Sequence, residues 1–279
     1  MDRSPNCTGR HPWLRATLFA VCAVLSTVPV AAGQTVEYSS GTERIEAHVG
    51  RPDADPGARL PAVIVIHDSQ GLTDAVRDAV RLLAAEGFVA LGPDLVSRLA
   101  RRAEPVPAGG GRRPAPVAAL SLGQTVQDVT AAFAYLQADA GVDPDRISVI
   151  GFGWGGWRAF KLAELTPTLH RAVVFYGTTS DDRQLHQIRA PVLAHYAEYD
   201  FQTTAQALAT KRRLGERFTY YIYPDMDRGF LGDSSGAIDY VALVRGRATA
   251  TAPSRTDTTV AGLTDAVRLA WRRTLDFLR

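Results

Sequence analysis

Ile147-Ser-Val-Ile-Gly-Phe-Gly-Trp-Gly-Gly156 is an apolar run that stops in a glycine-rich turn, followed at once by a helix pattern carrying Ala159, Phe160 and Leu162. A continuous apolar run fits a strand covered on both faces. Two kinds of strand-to-helix turn can be built here. Taken literally, Gly151, Gly153 and Gly156 match the G-x-G-x-x-G dinucleotide fingerprint, in which bare backbone approaches a pyrophosphate. Trp154 stands where that approach would occur, the next strand ends in Tyr176-Gly177 instead of a ribose-binding acid, and two strand and helix pairs come earlier in the chain. The second kind is a nucleophile elbow, a strained turn in which glycines flank a reacting side chain.

Alternation of the same kind extends in both directions. Thr35 to Ser40 and Arg44 to Val49 read as two short antiparallel strands, and Pro61 to His67 and Phe88 to Leu91 as buried ones. Between them lies a helix capped by Thr73 or Asp74, with Val76, Val80, Leu83 and Ala84 on one face. Val126, Val129, Phe133 and Leu136 mark another helix. Strands are predicted over Ala172 to Tyr176, Pro191 to Tyr196 and Phe218 to Tyr223, and a last helix over about Asp257 to Leu278. The connection Ser97 to Leu122, with Gly109-Gly-Gly111, reads as a mobile insertion or flap. Strands alternating with helices over the whole length predict an α/β fold with a mainly parallel, doubly wound sheet and helices on both faces. Ligand sites in such sheets lie at the carboxyl ends of the strands, here just after His67, Phe152, Tyr196 and Tyr223.

The 279 residues, 46% apolar and 22% charged, have ordinary globular composition. Residues 1 to 33 place Arg3, Arg10 and Arg15 around the start of an apolar run that ends in Ala31-Ala-Gly33, the order of a cleaved signal peptide. Residues 34 to 279 then form a single domain, exported to a periplasm or the extracellular space, with no stable membrane span after cleavage. The leader holds three of the 31 basic and one of the 29 acidic residues, so the mature charge balances. A balanced charge lacks the electrostatic footprint of a nucleic-acid binder. Cys7 and Cys22 leave with the leader, which removes thiol nucleophiles and thiolate metal ligands.

Several further segments fall in order along the chain. They are Val63-Ile-Val-Ile-His-Asp-Ser-Gln-Gly-Leu72, Leu83-Ala-Ala-Glu-Gly-Phe-Val-Ala-Leu-Gly-Pro-Asp-Leu95, Gly141-Val-Asp-Pro-Asp-Arg-Ile147, the glycine turn, Pro191-Val-Leu193 and Tyr223-Pro224. Together they resemble the dienelactone hydrolase family over about residues 43 to 279. The resemblance implies an α/β-hydrolase fold, hydrolysis of small esters or lactones, and no cofactor. It also implies a Cys or Ser at the elbow, a His base, an Asp orienting that base and often an acid after the third strand. Matched position by position, the elbow holds Gly153, the base position Arg228, the orienting acid is Asp200, and the third-strand acid is Asp68. The backbone amides of Ser69 and Trp154 are the implied oxyanion hole.

Glycine cannot attack, and a protonated guanidinium cannot accept a proton. No histidine follows His195, so the usual base segment has no substitute. Three readings stay open: a family member with weak or lost standard activity, a hydrolase using Ser69 or a water activated by Asp68, and a non-catalytic binder of small carboxylates. Arg228 facing Asp200 predicts an ion pair. His67, at the end of a buried strand, and His195, inside one, read as structural. His48, His170 and His186 lack ligand spacing, and no metal site is expected. Trp154, Trp157 and Trp271 are expected in core or pocket wall, and Tyr199 and Phe201 could line a pocket beside Asp200. The partner is a small-molecule ester, lactone or carboxylate; the oligomeric state is left open.

Overall fold

In the computed structural model, residues 33–55, 57–102, 117–179, 184–231, 239–247 and 260–279 are described. The apolar runs become the strands of one sheet. They are β1 (Gln34–Ser40), β2 (Glu43–Gly50), β3 (Leu60–Ile66), β4 (Val89–Pro93), β5 (Val142–Phe152), β6 (Ala172–Phe175), β7 (Val192–Ala197) and β8 (Phe218–Tyr223). Their order is β1-β2-β4-β3-β5-β6-β7-β8. β1 pairs antiparallel with β2, and β2 antiparallel with β4; every later pairing is parallel.

The helices are α1 (Asp74–Ala85), α2 (Ser97–Arg102), α3 (Leu122–Gln137), α4 (Trp154–Leu165), α5 (Phe201–Leu214), α6 (Tyr240–Val244) and α7 (Val260–Leu278). They divide between the faces of the sheet. Val129, Phe133, Phe160, Leu162 and Leu214 from α3, α4 and α5 pack on one side; Val76, Leu83, Leu243, Val267 and Trp271 from α1, α6 and α7 pack on the other. Ile64 and Ile66 point to the first layer and Val63 and Val65 to the second, which is why β3 is apolar without interruption.

Two local features differ from the expectation. β5 begins at Val142, ahead of Ile147, because Leu60 pairs with Val142 before a register shift leads to Ala62 opposite Ile147. The expected connection Ser97 to Leu122 is helical in its first six residues, and Leu122 already belongs to α3, whose N-cap Ser121 forms a capping box with Gln124. Gly109–Gly111 lie outside the described residues, as does the expected helix start at Asp257.

A buried ion pair fixes α2. Arg98, 4% exposed, lies 3.3 Å from the fully buried Asp128 of α3, whose other oxygen accepts from Ser40 Oγ at 2.6 Å. Losing one member of such a pair strands the other charge away from water. Asp128→Ala is therefore expected to cost about 3 to 5 kcal/mol of stability, read as a lower urea midpoint with an unchanged slope.

Candidate functional site

Segments after four strands, β3, β5, β6 and β8, and the starts of α3 and α4 converge on a cavity of about 430 Å³ lined by Asp68, Ser69, Leu122, Gly153, Trp154, Trp157, Arg158, Thr178 and Arg228. Asp68 and Ser69 follow β3, Gly153 follows β5, and Arg228 follows β8. The carboxyl ends of the strands are where a parallel sheet leaves room for a ligand. Of the residues expected in the site, Asp68, Ser69, Gly153, Trp154 and Arg228 meet in this cavity, and Asp200 stands behind Arg228.

Gly153 has φ 48° and ψ −106° and is the N-cap of α4. Side chains tolerate that conformation only under strain, and glycine adopts it freely. The turn is tight for a second reason. A methylene built on Gly155 would overlap the Ile66 and His67 carbonyl oxygens, so α4 can press on β3 only without a side chain there.

The Asp68 carboxylate fills the middle of the site. Its Oδ1 accepts the Ser69 amide at 2.7 Å and the Trp154 amide at 2.7 Å. Those two amides were expected to point at a ligand anion; here they hold an internal one. The amide of Trp154 opens α4, so the positive end of the helix dipole adds to the attraction. A methylene on Gly153 would also overlap both Asp68 oxygens. The carboxylate thus stands in the space a side chain at the elbow would use. Among the described residues, no donor is paired with Asp68 Oδ2.

Asp200 caps α5, accepting Thr203 Oγ1 at 2.7 Å and the Thr203 amide at 3.4 Å, and is 7% exposed. Arg228 approaches its Oδ2 to 3.7 Å, an ion pair beyond ordinary hydrogen-bond length. The Arg228 side chain is 43% exposed and lines the cavity.

Arg158 was missed by sequence reasoning. It lies one helical turn after Trp154, and residues four apart share a helix face. Its guanidinium sits 3.5 Å from the Trp154 ring centroid and 5.3 Å from that of Trp157, and Nη1 donates to the Trp154 carbonyl at 3.0 Å. Burial pushes its pKa down to about 10, which still leaves it charged at neutral pH. Among the described residues no carboxylate pairs with it, and its Nε is buried without a partner.

His67 is fully buried, and burial lowers its pKa. Its Nδ1 lies 2.7 Å from the Asp68 carbonyl and its Nε2 3.2 Å from the Leu95 amide, so both ring nitrogens are engaged by backbone. It is therefore not placed to take a proton from Ser69. His195 is held between Tyr223 Oη at 2.9 Å and Thr274 Oγ1 at 3.1 Å, inside the core. Trp157 joins Trp154 in the pocket wall, and Trp271 is fully buried. Tyr199 and Phe201 do not line the cavity: the Tyr199 hydroxyl donates to Asp225 Oδ1 at 3.0 Å, and Phe201 is 75% exposed at the start of α5. Among the described residues no group of three His, Cys, Asp or Glu side chains could hold a metal ion.

Among the described residues, an eight-stranded, mostly parallel sheet wound on both faces, with a sharp glycine-rich turn between β5 and α4, defines a protein of the α/β-hydrolase fold. A solved dienelactone hydrolase-like promiscuous phosphotriesterase from metagenomic libraries shares that fold at a TM-score of 0.64 and 20% identity, covering 88% of this chain and 96% of its own. The chain belongs to the dienelactone hydrolase family, whose sequence profile matches residues 45–279. A Salmonella typhi protein named "Putative carboxymethylenebutenolidase" is 29% identical over 222 residues, 73% of this chain and 79% of the relative. A Bradyrhizobium protein named "Probable 2-oxo-3-(5-oxofuran-2-ylidene)propanoate lactonase" is 32% identical over 198 residues, 66% of this chain and 77% of the relative. Membership supports a hydrolase-like function on small molecules.

Proposed function

We propose that this chain is an exported dienelactone hydrolase-family protein in which standard covalent turnover is weak or lost and the pocket binds a small carboxylate. The observation that carries this reading is the Asp68 carboxylate, which takes both oxyanion donors and the space of the elbow side chain. An ester carbonyl that enters the pocket finds neither a nucleophile at Gly153 nor a free pair of amides to stabilise a tetrahedral oxyanion. The cationic groups remain. Arg158, stacked on Trp154 with no acidic partner among the described residues, and Arg228, half-exposed beside Asp200, give an anion two guanidinium forks.

Calorimetric titration with butyrate tests the reading. Binding is expected, and Arg158→Gln is expected to weaken it by about tenfold or more, since a charge-assisted hydrogen bond is lost. Absence of binding contradicts it, and so does turnover of an activated ester well above buffer. A second reading, slow hydrolysis by water on Asp68, rests on Oδ2, which has no donor among the described residues, and its signature is turnover that disappears in Asp68→Asn.

Export is part of the proposal. Among the described residues no helix is long and apolar enough to cross a membrane. Amino-terminal sequencing of the protein recovered from a secreting host is expected to begin near Gln34; recovery with residues 1 to 33 attached contradicts cleavage.

A further inference from the structure

The pocket lining carries two opposite chemistries. Asp68 Oδ2 is an acceptor, because Oδ1 already takes the Ser69 and Trp154 amides and no donor among the described residues is paired with Oδ2. Arg158 and Arg228 supply donors and positive charge to the same cavity. Trp154, Trp157 and Leu122 add apolar wall. A second carboxylate on a ligand would meet the Asp68 charge and be repelled; a ligand with no donor would leave Oδ2 without a partner where water is displaced.

We infer that the ligand is a small monocarboxylate that also carries a hydrogen-bond donor, a hydroxycarboxylate, with its carboxylate on the guanidinium groups and its hydroxyl donating to Asp68 Oδ2. The inference rests on the carboxylate-binding reading and narrows it. A cavity of about 430 Å³ is the size of a small-molecule site and suits a short carbon skeleton against the tryptophan wall. Water opening a lactone cleaves the acyl C–O bond and leaves a carboxylate and a hydroxyl on one molecule. The ligand class is therefore the product class of lactone hydrolysis, held at a site that does not require the lactone to be opened there.

Asp68 has a second effect on the same experiment. It closes the two amides to other anions, so removing it opens them. Dissociation constants for butyrate and for 2-, 3- and 4-hydroxybutyrate, measured by calorimetry on the purified protein and on Asp68→Ala and Arg158→Gln, test the inference. At least one hydroxybutyrate is expected to bind the wild type about tenfold more tightly than butyrate, the worth of a hydrogen bond to a charged acceptor. In Asp68→Ala that advantage is expected to vanish while butyrate itself binds more tightly. In Arg158→Gln all four are expected to weaken together. Equal binding of butyrate and every hydroxybutyrate to the wild type overturns the inference and leaves the carboxylate-binding reading standing. An advantage that survives in Asp68→Ala overturns it as well. Absence of any binding overturns both. Circular dichroism melts of each variant separate a lost contact from a lost fold.

Discussion

Gly153→Cys with Arg228→His hydrolyses activated esters slowly, and adding Asp68→Ala raises the rate about a hundredfold or more. The double variant puts a thiol at the elbow and an imidazole at the position from which Arg228 now reaches Asp200. It does not free the Ser69 and Trp154 amides, the proposed oxyanion donors, which still hold Asp68. It also forces the new Cys side chain against the Asp68 carboxylate. Shortening residue 68 relieves both at once, and each oxyanion donor is worth about 10² to 10³ in rate. Steady-state hydrolysis of p-nitrophenyl acetate by the three proteins measures this. If the double variant already matches the triple one, Asp68 moves aside at no cost and its place in the hole has no consequence for turnover.

Stability is expected to fall in acid because burial disfavours the protonated form of His195. The imidazole is fully buried between Tyr223 and Thr274, and burial, with the Arg273 charge second, pushes its pKa from 6.5 down to about 3. Above pH 6.5 the ring is neutral in the folded and unfolded chain alike, so no penalty arises. Between 6.5 and about 3 only the unfolded chain binds the proton, and each pH unit of descent removes about 1.4 kcal/mol. By pH 4 this amounts to about 3 kcal/mol. Urea unfolding at pH 7.5, 6, 5 and 4 is expected to show this slope in the wild type and a flatter one in His195→Leu. Tyr223 keeps Arg273 and Thr274 keeps the Ala270 carbonyl as partners in that variant. Parallel slopes would remove His195 from the account.

The sheet was legible because its strands are apolar on both faces and its central turn is written in glycine. Asp143-Pro-Asp-Arg reads as a loop by residue type, yet Val142 pairs with Leu60 and draws the segment into β5. Helix α2 carries little apolar periodicity in Ser-Arg-Leu-Ala-Arg-Arg, and its place is fixed by the Arg98 to Asp128 pair, a contact between residues thirty positions apart. Gly153, Arg228 and Asp200 could be placed from motifs because each follows a strand whose end the pattern fixes. The direction of the Asp68 carboxylate could not, since it depends on the backbone path after β3 and on space left by the missing side chain at 153. Arg158 could have been found by asking what lies one helical turn beyond a half-buried tryptophan at the start of α4.

The most direct test is the rate of p-nitrophenyl acetate hydrolysis by the unaltered protein, set against buffer and against Asp68→Ala and Ser69→Ala. A wild-type rate indistinguishable from buffer is the result expected on the proposed reading, in which the Ser69 and Trp154 amides held by Asp68 are the oxyanion donors and Gly153 is the nucleophile position. A wild-type rate clearly above buffer, abolished by either substitution, contradicts the account and makes the altered residue part of a working active site.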